Sequence, residues 1–389
     1  ESSFWPYISH RIASFGQQMA VMDGLEGISP GRNLQAIPYG NFATARILDD
    51  GGTRRVENST RVGVDAKAVI KDALTIDLTV NPDFSQVESD EPQVTVNQRF
   101  EVFFPEKRPF FIENAGYFET PLNLFFSRRV ADPGVGARFT GKARGWAVAG
   151  LVVNDEQAGR AVSGEDPRRG KRALVNVLRV QREFPDQSHV GAIFTDREFG
   201  TSANRVYGAD ARWKMSDNWS ARGQWVGSQT IDVAGKGRNG TSWSADINRE
   251  GRNFDYSSSF TSISPDFRAE LGYIRRVDMR ELQQDVDYTW HPEKSRVLSF
   301  STKVEGNALW DFGGALQDWS IEPGIEVAFA GQTEVEVQHA EEFERYEGRE
   351  FRRHGTQARV STEWLSWLGG TLEYSQGSGI NYYPAAGIA

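Results

Sequence analysis

The chain has no cysteine among its 389 residues. It therefore carries no disulfide framework, no thiolate nucleophile and no Cys-ligated zinc. That lack is compatible with export through an oxidising compartment. Long apolar runs are missing too. The longest, from about Trp146 to Val153, is well short of the ~18 residues a membrane helix needs. A helical span is excluded. A transmembrane strand is not, because it needs only about ten residues with every second one apolar. Positive charge is not in excess: 44 Lys and Arg against 53 Asp and Glu leave a net charge of −9, which disfavours nucleic acid as a partner. Histidine is scarce. His10, His189, His291, His339 and His354 share no metal-ligand spacing, and neither H-E-x-x-H nor G-x-S-x-G occurs.

What is present points to strands. Glycine is abundant (39) and aromatics reach 12%, while only 39% of residues are hydrophobic. Such a composition suits one large all-β unit whose sheet faces see different media. Leu74, Ile76, Leu78 and Val80 alternate with Thr75, Asp77, Thr79 and Asn81, a two-residue period with one apolar and one wet face. The same period runs through Tyr39–Ile47, Val62–Ile70, Tyr207–Met215, Trp219–Trp225, Phe267–Tyr273, Val286–Trp290, Leu298–Val304, Ile325–Phe329, Val335–Val337 and Val360–Trp364.

Two features separate a membrane barrel from a soluble multi-sheet protein. The polar phase is charged on strand after strand, and Trp, Tyr and Phe recur at strand ends on the apolar phase, like an aromatic girdle. Turns also differ in length. Lys71–Ala73, Ser216–Asn218 and His291–Ser295 are short; Asp155–Gly170 and Asp232–Gly240 are long and polar. The pattern predicts a large antiparallel transmembrane β-barrel of about 16–20 strands. Residues 1–33 read as a lead-in loop and 34–389 as the barrel, with residues 81–129 inserted after about the fourth strand. A barrel of that size leaves a lumen, and the insert is the candidate to fill or gate it.

The insert has its own pattern. An acidic, Pro-punctuated part (Asp83, Glu88, Asp90, Glu91) is followed by an aromatic and basic block: Phe103, Phe104, Glu106, Lys107, Arg108, Phe110 and Phe111. Five Phe between residues 100 and 111 would be costly to leave in water, which favours an inward plug or constriction over an aromatic turn. The four carboxylates are a candidate Ca²⁺ site, or partners for Arg99, Lys107 and Arg108. No other cofactor is expected. Arg128 and Arg129 either bind an anion such as a lipid phosphate or face the lumen. No catalytic residue is assigned. His339, on the apolar phase after Val337, and the paired Glu334 and Glu336 are the only features an enzyme could use, and alternating lumen charge explains the carboxylates more simply.

The run NPDFSQVESDEPQVTVNQRFEVFFPEKRPFFIENAGYFET, followed by LFFSRR, resembles a family of bacterial outer-membrane proteins. In that family a carbohydrate-binding family-nine-like domain precedes a large barrel of unknown function. GLEGISPGRNLQAIPYG and GARFTGKARGWAVAGLVVND extend the resemblance to roughly residues 20–155. It implies a bacterial outer-membrane location, with lipid and lipopolysaccharide as surroundings. It further implies a channel or membrane anchor with a glycan or small solute as ligand, or a barrel that joins an envelope protein partner. An embedded hydrolase is the alternative. The sugar-binding domain is not in this chain. The chain begins at Glu1 without a leader and ends Tyr382-Tyr383-Pro384-Ala385-Ala386-Gly387-Ile388-Ala389 rather than on an aromatic, as expected if both ends are trimmed.

Overall fold

A computed structural model describes residues 33–48, 54–71, 73–82, 97–293, 295–365 and 367–383. Seventeen strands form one sheet. The first three are β1 (Leu34–Leu48), β2 (Arg54–Ile70) and β3 (Leu74–Val80). After a long irregular segment come β4 (Pro133–Ala143), β5 (Trp146–Asp155), β6 (Ala173–Glu183), β7 (His189–Phe199), β8 (Ser202–Lys214), β9 (Trp219–Ile231), β10 (Gly237–Arg249) and β11 (Phe254–Ile263). A second irregular segment precedes β12 (Met279–Trp290), β13 (Val297–Trp310), β14 (Leu316–Phe329), β15 (Thr333–Tyr346), β16 (Arg349–Leu365) and β17 (Leu368–Gly377). Each strand pairs antiparallel with the next in sequence, a continuous meander. The hairpin turns use backbone that matches the sheet twist: Arg144 and Gly145 both have positive φ (51° and 76°), as do Glu347 and Gly348 (48° and 76°).

The sheet cannot be flat. Arg99 binds Glu344 of β15, while Arg108 binds the carbonyl of Val130, just before β4. Strands β4 and β15 would lie roughly 53 Å apart in a plane, yet one short segment, folded into turns, touches both. The meander therefore curls around the irregular segment. Its two ends meet that segment as well: Lys67 of β2 pairs with Glu113, and Asn97 donates to the carbonyl of Ile380, beyond β17. A large barrel fits this curvature.

The polarity of the wall is inverted relative to a soluble sandwich. On β8, Tyr207 and Trp213 are exposed on the outer face while Asn204, Val206 and Asp210 are buried on the inner one. On β9, Trp225 is exposed and Gln224 and Val226 are buried. Trp243, Trp290, Tyr288, Val304, Ile325 and Val337 continue the exposed apolar surface. Inside, the Arg179 and Asp210 side chains are 2% and 1% exposed and bonded at 2.8 Å.

Three sequence expectations need correction. The insert follows the third described strand, not about the fourth, because each of the first three alternations is a separate strand. Residues Phe267–Tyr273 are not a strand. They lie in the irregular segment between β11 and β12, and Phe267 and Leu271 are buried inside the curl. The Ser264-Pro265-Asp266 turn breaks the sheet, and the alternation is satisfied against the insert. The Asp232–Gly240 stretch is not a long loop: β9 ends at Ile231 and β10 begins at Gly237, because Asp232 closes a tight turn by accepting from the N–H groups of Ala234 and Lys236.

The Arg179–Asp210 pair yields a stability prediction. Asp210→Ala should lower unfolding stability by about 3–5 kcal/mol, since it strands a buried guanidinium. The double replacement Arg179→Leu/Asp210→Leu should recover much of that loss. Urea midpoints in detergent micelles would measure both.

Candidate functional site: a folded segment inside the curved sheet

Residues 97–132 enter the curl from the long-loop end and fold into short turns: α1 (Pro109–Ile112) and 3-10 turns at Ala115–Phe118 and Ser127–Arg129. Pro109 sits at the start of α1, where its missing N–H costs nothing. The segment has its own core. Phe111, Phe118, Leu124 and Val130 are buried together with Leu151, Val153, Val175, Val177 and Val226 of the wall. These wall strands carry apolar residues on both faces where the segment covers them, and charged residues where it does not.

Glu106 and Arg108 clasp the two halves of the segment. The Arg108 guanidinium donates to both Glu106 oxygens (2.8 and 2.7 Å), to the Val130 carbonyl (2.6 Å) and to the Ser127 carbonyl (2.9 Å). Glu106 also accepts from the Ser127 hydroxyl (2.6 Å) and from the backbone N–H groups of Lys107 (3.0 Å) and Arg108 (2.9 Å). Burial alone would raise the Glu106 carboxyl. The hydrogen bonds and charge of Arg108, with the Ser127 hydroxyl, outweigh it and hold the group below its ordinary value of 4.5.

Arg138 of β4 ties the clasped segment to the wall. Only 3% exposed, it bonds Asp77 of β3 (2.7 and 3.1 Å) and reaches the carbonyls of Phe110 (2.6 Å) and Glu113. One buried cation thus satisfies a wall carboxylate and two segment carbonyls. Across the lumen, Arg99 bonds Glu344 (2.7 Å) and Asp318 (3.2 Å). Glu344 also accepts from the Tyr382 hydroxyl at 2.9 Å, and burial, with this carboxylate, pushes that phenol up to about 12, so it stays a donor.

Phe103 and Phe126 pack with Tyr273 of the second irregular segment, with ring centroids 5.0–5.5 Å apart. Phe103 remains 45% exposed, whereas Phe111 is 5% exposed. Phe110 stacks edge-on against Phe111, and Phe104 lies under the Arg128 guanidinium. Arg128 donates to the Pro105 carbonyl (2.8 Å), and Arg129 pairs with Glu101 (2.6 Å). Lys107 is half-buried on the same turn. Asp83, Glu88, Asp90 and Glu91, the candidate Ca²⁺ ligands, lie outside the described residues. Among the described residues, no three metal-ligating side chains converge on one point.

The second segment, residues 264–278, is part of the site, although the alternation of Phe267–Tyr273 within it predicts a strand. The Phe126 N–H donates to the Leu271 carbonyl (2.7 Å) and the Tyr273 N–H to the Asn123 carbonyl (2.9 Å). Two glycines allow the close approach. A Cβ on Gly240 of β10 would lie 2.2 Å from Phe267 Cα, and one on Gly272 would lie 2.5 Å from the Asn123 oxygen. Beneath the clasp is a cavity of about 370 Å³ lined by Phe103, Glu106, Phe111, Phe118 and Phe126.

Residues 30–144 match the model of a domain of unknown function, DUF5916. No curated protein matches the chain. Among solved structures, the chain is similar to OccK11 (OpdR) of Pseudomonas aeruginosa, at 10% identity over 90% of this chain and 86% of that one, with a TM-score of 0.40. It is similar to Pseudomonas aeruginosa OpdK with vanillate at 12% identity, 89% and 88% coverage and a TM-score of 0.36. A bacterial polysaccharide outer membrane secretin aligns at 8% identity, 88% and 96% coverage and a TM-score of 0.36.

Two outcomes are expected. Gly240→Val should expel residues 264–278 from the wall and expose the arginines around them. Trypsin should then cut near Arg268–Arg276 at least tenfold faster, with strand content unchanged by circular dichroism. For pH the sign is set by Glu106. Its folded value lies below 4.5, so its contribution is intact above about 4.5 and is lost as pH falls through the folded value. Hydrogen-exchange protection at residues 103–130, corrected for the intrinsic pH dependence of amide exchange, should fall on acidification through that window, and Glu106→Gln should remove the step and leave protection low at neutral pH.

Proposed function

We propose that the chain is an outer-membrane β-barrel that forms a narrow passage for small polar solutes, with residues 97–132 as its constriction. The observation that carries this reading is the inverted polarity of the wall. Trp213, Trp225, Trp243 and Trp290 are exposed outside, and the Arg179–Asp210 pair is buried inside. Exposed aromatics in such number would drive aggregation in water but are at home at a lipid interface. Strands of 10 to 17 residues from β4 onward meet or exceed the roughly 9–11 a tilted transmembrane strand needs. The outer face meets the outer-membrane lipid, with lipopolysaccharide on the long-loop side. The Phe103–Phe111 block, Glu106, Lys107 and Arg108 form the constriction, and Arg128 and Arg129 brace it.

A second reading, a filled barrel acting as a membrane anchor for an envelope partner, is favoured by the apolar core that joins the segment to β5, β6 and β9. The glycan and hydrolase roles implied by the resemblance gain no support from a residue described above. Planar-bilayer conductance of the full chain, compared with a form lacking residues 97–129, tests the proposal. The expected result is a small steady current that rises severalfold on deletion. Silence in both forms would favour the anchor, and a protein monodisperse in water without detergent would overturn the barrel.

A further inference from the structure

The lumen is not the same all the way round. Against β5, β6 and β9 it is closed by the apolar core of the two irregular segments. Against β12 to β15 that core makes contact only near the long-loop end, through Met279 and Leu309. Below that point the inner wall is acidic. Asp287, Glu305, Glu322, Glu326 and Glu336 line one cavity of about 120 Å³, in which Lys303 is the single cation. Their strand neighbours Val304, Ile325 and Val337 are exposed on the outer face, so these carboxylates point inward. Like charges stand directly opposite each other across the ladder: Asp285 faces Glu305, Glu305 faces Glu322, and Glu326 faces Glu336. Such pairs repel, and Lys303 opposite Asp287 and Arg359 opposite Glu336 offset only part of the excess.

An independent observation lies one level up the same strands. There a larger cavity, about 540 Å³, is lined by Arg99, Tyr273, Arg275, Asp318, Glu344 and Tyr382. Its three carboxylates, Glu101, Asp318 and Glu344, already hold cations supplied by the chain itself, and Glu101 takes Arg129. Arg99 sits on Asp318 and Glu344, and Arg276 on the other oxygen of Asp318. The carboxylate file thus runs along β14 and β15 from Asp318 and Glu344 down to Glu326 and Glu336, and its mouth is occupied by a guanidinium carried on the constricting segment. Among the described residues, no three of these groups converge as metal ligands would, so the arrangement is a file and not a chelate.

We propose that the β12–β15 wall is a cation-selective path, and that Arg99 acts as a tethered cation at its mouth. The inference rests on the passage reading and names its solute class: inorganic cations and small amines. A row of inward carboxylates raises the local concentration of cations and repels anions in a low-dielectric wall. Arg99 competes with the solute for Asp318 and Glu344, so it throttles entry at the long-loop end.

The test is the reversal potential of the full chain in a planar bilayer under a KCl gradient. The native protein should favour K⁺ over Cl⁻ severalfold. Glu305→Gln/Glu322→Gln/Glu326→Gln should bring the ratio close to that of free solution. Arg99→Gln should raise the K⁺ current while keeping its sign. Current without cation preference, or a preference untouched by the triple replacement in protein with native strand content, would overturn the inference and leave the passage reading standing. No current from the native chain, from Arg99→Gln or from the form lacking residues 97–129 would overturn both.

Discussion

A charge enclosed by a greasy wall has to be answered from within, and Arg138 is where this fold meets that demand. Its guanidinium carries five donors in a rigid fork. Asp77 takes one side, and the backbone of α1 takes the other. Asp77 is itself buried on β3, so the pair could not stand alone without a severe desolvation cost. The carbonyls of Phe110 and Glu113 lower that cost only if the irregular segment is in place. Wall and segment therefore complete one shell, and in a wall without the segment the Arg138–Asp77 pair would have to be answered by lumen water. The first three strands present a carboxylate, the fourth presents the arginine, and the segment between them completes the shell.

The same logic orders the rest of the lumen. Arg108 satisfies its donors on Glu106 and on the carbonyls of Ser127 and Val130, which fixes the entrance and exit of the segment side by side. Arg99 does on β14 and β15 what Arg138 does on β3 and β4. Where the segments cover the wall, apolar contact replaces ion pairs, and Phe118, Leu124 and Phe267 are excluded from water. Where they do not, carboxylates outnumber their partners. Burial and charge thus divide the interior into a packed side and a wet side.

Much of the wall was legible in the sequence, because a strand with an apolar outer face and a charged inner one writes its period plainly. Tyr207 to Met215 and Trp219 to Trp225 could be placed on β8 and β9 without any long-range information. The inward bias of the Phe103–Phe111 block could be argued from the cost of exposing so many rings. The second segment could not. Phe267, Ala269, Leu271 and Tyr273 alternate like a strand because they do pack one face against a partner, but that partner is the first segment. The usable signals were weak: a Ser-Pro-Asp turn, too many residues for a hairpin, and a glycine at 240 in the facing strand. Contacts such as Arg99 to Glu344 join residues 245 positions apart, and no local pattern encodes them.

The place of the irregular segment in the chain order has a consequence for assembly. It lies between β3 and β4, so it is synthesised before most of the wall that encloses it. Nothing has to be threaded into a finished cylinder. The later strands are laid around a preformed mandrel, each one adding an edge while the clasp and Arg138 hold the centre. The bond from Asn97 to the Ile380 carbonyl, beyond β17, then links the mandrel to a stave laid much later. A wall built in this way is held to its curvature from within, because residue 380 has to come back to residue 97.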